Sequence, residues 1–152
     1  MKNIYLILSL SVLSLVSCGK NLSTNQIESR LLGTWDMDNV EFKDKGSMIK
    51  KDVTGNWSDY RLKFYFDGTL DWIVKTQGDT LFGYWYVNES YQYNSNSNQN
   101  EVVHKLEITV YDQTVENSRF LLWTDLSITN SKMKAKESES KGKYFFKLRK
   151  ID

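Results

Sequence analysis

The chain predicts an all-β fold, an eight-stranded antiparallel up-and-down barrel preceded by a short N-terminal helix. Three observations carry that expectation. Five Trp, nine Tyr and seven Phe accompany many Val, Ile and Thr residues, the types that fit a pleated, half-buried surface. Helix-favouring runs are few and proline is absent. From Gly33 onward, eight short apolar or alternating runs follow one another, separated by turn signals. Consecutive strands with short connections close most simply into a barrel, which removes the exposed edges of an open sheet.

The elements follow in order. Asn25 is placed to cap a helix and Glu28 to reach back to the free amide. That helix ends at Gly33 and sets Ile27, Leu31 and Leu32 along one side, suited to plugging one end of a barrel. In the first strand, 34–42, Trp35 and Met37 share a face. Val40 and Phe42 are out of phase with them, which predicts a bulge near Asp38. Tyr60, Leu62, Phe64 and Phe66 alternate with Arg61, Lys63 and Tyr65, a half-buried strand. Asp67-Gly68 signals a hairpin, and Leu70, Trp72 and Val74 return.

Gln77-Gly78-Asp79 turns the chain again, and 81–87 carries apolar groups on both faces. The Asn/Ser-rich stretch 88–100 reads as a flexible loop. Residues 102–111 alternate with Leu106, Ile108 and Val110 inward, and 119–123, 126–133 and 143–150 complete the count. Glu137-Ser138-Glu139, among lysines, reads as a charged loop.

Ahead of this domain, Lys2 is followed by an uncharged run from Ile4 to Ser17, rich in Leu, Ile and Val. It is shorter than the ~20 apolar residues that span a bilayer. A charged start, a short apolar core and a small residue make an export signal. Leu15-Val16-Ser17-Cys18 resembles the lipobox of bacterial lipoproteins. That resemblance implies cleavage before Cys18, a diacylglyceryl group on its sulfur and an acyl (palmitate-type) chain on the new amino terminus. Cys18 is the sole cysteine, so no intrachain disulfide competes. Residues 1–17 are then a signal peptide, 18–24 the lipidated cysteine and a tether, and 25–152 one barrel domain. Several acyl chains hold a protein on a membrane stably where one does not. Gly19, in place of the Asp that retains such proteins at the inner membrane, favours the outer membrane. The expected address is therefore the cell envelope, periplasmic or surface leaflet.

Within the domain, Leu32-Gly33-Thr34-Trp35 after a short helix resembles the Gly-x-Trp opening of the lipocalin family. The resemblance implies a barrel-base signature of Gly33, Trp35 and Arg149, with the arginine packed over the indole. Thr124-Asp125-Leu126 resembles the family's Thr-Asp-Tyr motif near the turn between the sixth and seventh strands. The 66–69 hairpin and Gly142-Lys143-Tyr144 resemble small bacterial lipocalin-like lipoproteins. The 88–101 connection departs from the pattern, which has a tight turn there.

Catalysis is not expected. His104 is the only histidine, which excludes a multi-histidine metal site, and it reads as an interior or rim residue. Asp36, Asp38 and Glu41 read as a solvated acidic edge rather than a calcium site, and no cofactor or metal is implied. Asp79-Thr80-Leu81 resembles a bacterial O-glycosylation tripeptide but reads as a turn entering a strand. Removing Lys2 with the signal leaves 19 acidic side chains and as many basic ones, so no nucleic-acid partner is expected.

Alternation places Leu62, Phe64, Phe66, Leu70, Trp72, Val74, Leu106, Ile108, Val110, Phe120, Leu122, Phe146 and Leu148 inside the barrel. These either fill it or line a cavity for a small apolar ligand, with Phe64, Phe66, Trp72, Leu106, Ile108, Phe120 and Phe146 the candidate contacts. Phe82, Tyr84 and Tyr86 share a face that Trp85 does not, so some aromatic surface must lie outside, a candidate contact for an envelope protein partner. Two functions follow: a lipid-anchored carrier of an apolar ligand, or an envelope interaction subunit with a filled barrel.

Overall fold

The computed structural model describes residues 22–96, 98–111 and 118–152. The expected signal peptide, Cys18 and the first part of the tether lie outside the described residues. Helix α1 (Thr24–Leu31) is followed by β1 (Gly33–Asp44), a two-residue strand β2 (Lys51–Asp52), and a 3-10 turn at Thr54–Asn56. Then come β3 (Tyr60–Phe64), β4 (Thr69–Val74), β5 (Asp79–Asn94), β6 (Gln99–Tyr111), β7 (Ser118–Ile128), β8 (Lys132–Glu139) and β9 (Gly142–Lys150). Leaving β2 aside as an edge addition to β1, each strand pairs antiparallel with the next, and β9 returns to β1. The sheet is a closed eight-stranded barrel.

The base of the barrel is built by the residues around Gly33. α1 starts two residues earlier than expected: Ser23 is the cap, its hydroxyl accepting from the Gln26 amide while the Gln26 side chain accepts from the Ser23 amide. Asn25 and Glu28 are inside the helix. Ile27 and Leu31 turn into the core, and the Trp35 indole N–H donates to the Leu31 carbonyl at 2.7 Å, fastening the plug to the wall. Between them Gly33 has φ +108, and a Cβ there would sit 2.7 Å from Asp152 Oδ1 and 2.8 Å from Lys150 Cε. The positive φ is what requires glycine there, since both neighbouring atoms belong to the ends of flexible side chains.

The bulge near Asp38 is present. The β1–β9 register slips between Met37 and Asn39, so Met37 and Val40 are both buried although three residues apart. The turns at 65–68 and 75–78 form as expected, with Gly68 at φ +81 and Gly78 at φ +72.

Elsewhere the strands differ from expectation. The 88–101 segment is not a loop: β5 and β6 stay paired from Gly83↔Val110 to Asn94↔Gln99, a long two-stranded ribbon. Alternating polar residues pair as well as apolar ones when both faces meet solvent. The expected 126–133 strand is divided, because β7 continues to Ile128 and Thr129 closes a turn by accepting from and donating to Lys132. The supposed charged loop is strand β8, with Met133, Ala135 and Glu137 facing inward. Thr124-Asp125-Leu126 lies at a register shift within β7 rather than at a turn. Asp125 takes φ +50 there, a conformation Asp tolerates better than most residues.

Trp35, Leu62, Phe64, Leu70, Leu106, Ile108, Leu121, Trp123, Met133, Phe146 and Leu148 form the middle of the core. The pockets described on the molecule lie at the two ends and on the outer wall, and none of these eleven side chains lines one.

Candidate functional site at the barrel mouth

The end of the barrel opposite α1 is covered by the 45–59 connection. β2 pairs with Glu41 and Phe42 of β1. The Val53 amide donates to the Val40 carbonyl at 2.9 Å, and the Val40 amide donates to Thr54 Oγ1 at 2.9 Å. Tied down in this way, the 3-10 turn carries Trp57 over the opening. Its buried indole meets Tyr60, Tyr144 and Phe146 edge-on, with centroid separations of 6.2, 5.6 and 5.0 Å. Trp123 stacks on Phe146 at 4.9 Å, and Tyr60 leans on Trp72 at 5.5 Å.

One cation enters this aromatic set. Arg119 of β7 lies opposite Val110 of β6, in the inward phase. Its guanidinium carbon is 5.0 Å from the Trp57 ring and 5.8 Å from the Trp72 ring, close enough for cation–π attraction to both. A pocket of about 250 Å³ opens here, lined by Tyr60, Trp72, Leu81, Val110, Tyr111, Ser118 and Arg119. That is below the ~300–1,000 Å³ of ordinary small-molecule sites, so an occupant is small or partly in solvent.

An acid lies deeper. Glu137 is 7 % exposed and stands opposite Trp123 on β7 and Tyr144 on β9. Burial pushes its carboxyl up to about 6, with the Arg119 charge opposing the rise and Glu139 adding to it. The Trp123 indole lies close enough to lower it slightly, yet Glu137 Oε2 and Trp123 Nε1 are both without hydrogen-bond partners of good geometry among the described residues.

The expected contacts separate into three groups. Trp72 lines the mouth pocket. Phe64, Leu106, Ile108 and Phe146 are buried in the packed middle. Phe66 and Phe120 are not inside: they are 91 % and 56 % exposed. β3 stops at Phe64, and the 65–68 turn, held by Asp67 accepting from the Thr69 amide and hydroxyl, ends the alternation. In the apolar run of β7 the phase is shifted by one residue. Leu121 and Trp123 pair with Ile108 and Leu106, so Phe120 faces out and Leu122 is half-buried.

Of the barrel-base residues, Gly33 and Trp35 lie beside α1 at one end of the barrel, but Arg149 does not cover the indole. Lys150 does, with Nζ 5.5 Å from the ring, because Lys150 is in register with Trp35 while Arg149 faces Asp36. Asp36 is bound by Arg61, Nε to Oδ1 2.8 Å, and that bond holds its carboxyl below the usual range against a smaller burial effect. Glu41 pairs with Lys50. His104 is buried on the ribbon, its Nε2 3.7 Å from Glu89 Oε2. Phe82, Tyr84 and Tyr86 are exposed on the outer wall as expected, and Phe82 and Tyr84 meet edge-on at 4.9 Å.

Trp57, Arg119 and Glu137 were not recognisable as site residues. Trp57 is a lone aromatic in a polar connection, Arg119 borders an apolar run, and Glu137 lies among lysines. Comparison of the chain with protein-family models, with curated proteins and with solved structures returns no match.

Proposed function

We propose that the chain is a lipid-anchored cell-envelope lipoprotein whose lipocalin-like barrel binds, without catalysis, a small apolar or aromatic molecule carrying an acidic group. The lipobox at 15–18 supports the anchor, and the resemblance of Leu32-Gly33-Thr34-Trp35 supports the family. The observation that carries the binding reading is the mouth pocket, where aromatic walls surround Arg119. Apolar walls supply burial, and the exposed Arg119 guanidinium beside two rings can donate to a carboxylate. The packed middle of the barrel supports a reading in which the ligand is held at the rim rather than in the interior.

Native mass spectrometry of the mature domain, purified from envelopes of its own host, tests this. A reproducible added mass that organic solvent removes is expected. Titration with an anionic naphthalene dye should show binding that Arg119→Ala weakens at least severalfold. Absence of both signals would sink the reading.

A second reading, an interaction subunit, draws on the outer wall. Phe82, Tyr84 and Tyr86 of β5 and Phe120 of β7 are exposed on the two strands that flank β6, with Tyr84 and Phe120 both opposite Thr109, and large exposed apolar patches usually mark contacts. A bare polypeptide mass with a co-purifying envelope protein would favour it.

A further inference from the structure

We infer that the β5–β6 ribbon is a membrane-contacting element, seated on the lipid surface to which Cys18 is attached. The inference rests on the lipoprotein reading of Cys18 and extends it to a surface. Beyond Asn88↔Lys105 the ribbon pairs with no further strand among the described residues, since β4 pairs with β5 only as far as Tyr84 and β7 with β6 only from Leu106. It projects from the end of the barrel that α1 closes. Thr24 Oγ1 bonds Glu89 Oε2 at 3.0 Å, and Leu22 shares a pocket with Val102 and Val103. The described end of the tether, Leu22 to Thr24, therefore lies against the ribbon.

The lengths then constrain the geometry. Cys18 precedes Leu22 by four residues, at most about 14 Å of extended chain. Val102 lies opposite Tyr91, and the strand continues from Tyr91 to Asn94 for about 10 Å before the turn adds its own reach. Even with the tether fully drawn out, the tip has almost no clearance from the lipid.

Composition fits that location. Tyr91 and Tyr93 are 72 % and 60 % exposed, on the face that also carries Glu89. No charged residue lies between Glu89 and Glu101, and uncharged Asn, Gln and Ser surround the tyrosines. Tyrosine concentrates at membrane–water interfaces. Phe66, the most exposed aromatic among the described residues, lies at the same end, sharing a pocket with Asn25, Glu28 and Ser29 of α1. A two-stranded ribbon alone in water is marginal, and a lipid surface gives it the third side it lacks.

The test uses the full acylated chain in phosphatidylethanolamine–phosphatidylglycerol vesicles containing a headgroup spin label. Acylation consumes the Cys18 thiol, so Ser95→Cys at the ribbon tip, or Gln77→Cys at the opposite end, carries an environment-sensitive dye alone. Flotation reports the anchor independently. The expected result is flotation of both proteins with quenching at 95 and little at 77. Adding Tyr91→Ser and Tyr93→Ser should at least halve the quenching at 95 while flotation persists. Flotation with neither dye quenched, with both quenched alike, or with quenching indifferent to the tyrosines overturns the ribbon's role and leaves the anchor standing. A chain that does not float refutes the anchor and the inference together.

Discussion

Replacing Glu137 with Gln should make the protein more stable at neutral pH and change how stability responds to acid. The carboxyl titrates near 4.5 when unfolded and at about 6 when folded, so the folded state holds the proton more tightly. A raised acid of this kind contributes stability that is complete below pH 4.5 and is lost as pH rises through 6. The shift of about 1.5 units corresponds to roughly 2 kcal/mol at ~1.36 kcal/mol per unit. Gln has nearly the same shape and no charge to desolvate, so its variant lacks this loss. Urea unfolding followed by tryptophan fluorescence from pH 4 to pH 8, on both proteins, measures it. The stability difference should grow in favour of Glu137→Gln by about 2 kcal/mol between pH 4 and pH 7 and then level off. A difference that stays flat with pH, or that moves in favour of the wild type as pH rises, would show that Glu137 is solvated or well paired and that the burial argument is wrong.

Other outcomes follow from the same geometry. Gly33→Ala should destabilise by about 1–3 kcal/mol in urea unfolding, since the side chain is strained at φ +108 and collides with Asp152 and Lys150. Trp72→Ala should cost about 3–5 kcal/mol of stability, as removal of a buried indole does, and should abolish dye binding at the mouth. A smaller stability loss would show that the pocket, not the core, depends on Trp72. Asp36→Asn should flatten the acid limb of the stability curve. The lowered carboxyl of Asp36 contributes stability above its unfolded value of 3.8 that is lost as pH falls through the lower folded value. An unchanged acid limb would show the Arg61 bond to be without net worth.

Much of the fold was legible because its signals are local. The bulge at Asp38 was visible in the phase change from Met37 to Val40, the hairpin at Asp67-Gly68 in two residues, and the base in Gly33 and Trp35. What misled were segments in which local pattern and environment part company. In Phe120-Leu121-Leu122-Trp123 every residue is apolar, so alternation carries no phase, and pairing with Leu106 and Ile108 decides it. Glu137 looked like loop because a charged residue in a barrel wall is costly. The ribbon looked like loop because neither of its faces is covered enough to demand apolar residues.

By itself the sequence determined that the chain would close an all-β barrel with a helix across one end. Strand-forming residues, turn dipeptides and glycine are selected by backbone physics within a few residues. Only the tertiary structure decided which cation covers Trp35, which aromatics point outward, and that Trp57, Arg119 and Trp72 meet at the mouth. These depend on register between strands distant in the chain, and a shift of one residue moves every side chain to the opposite face.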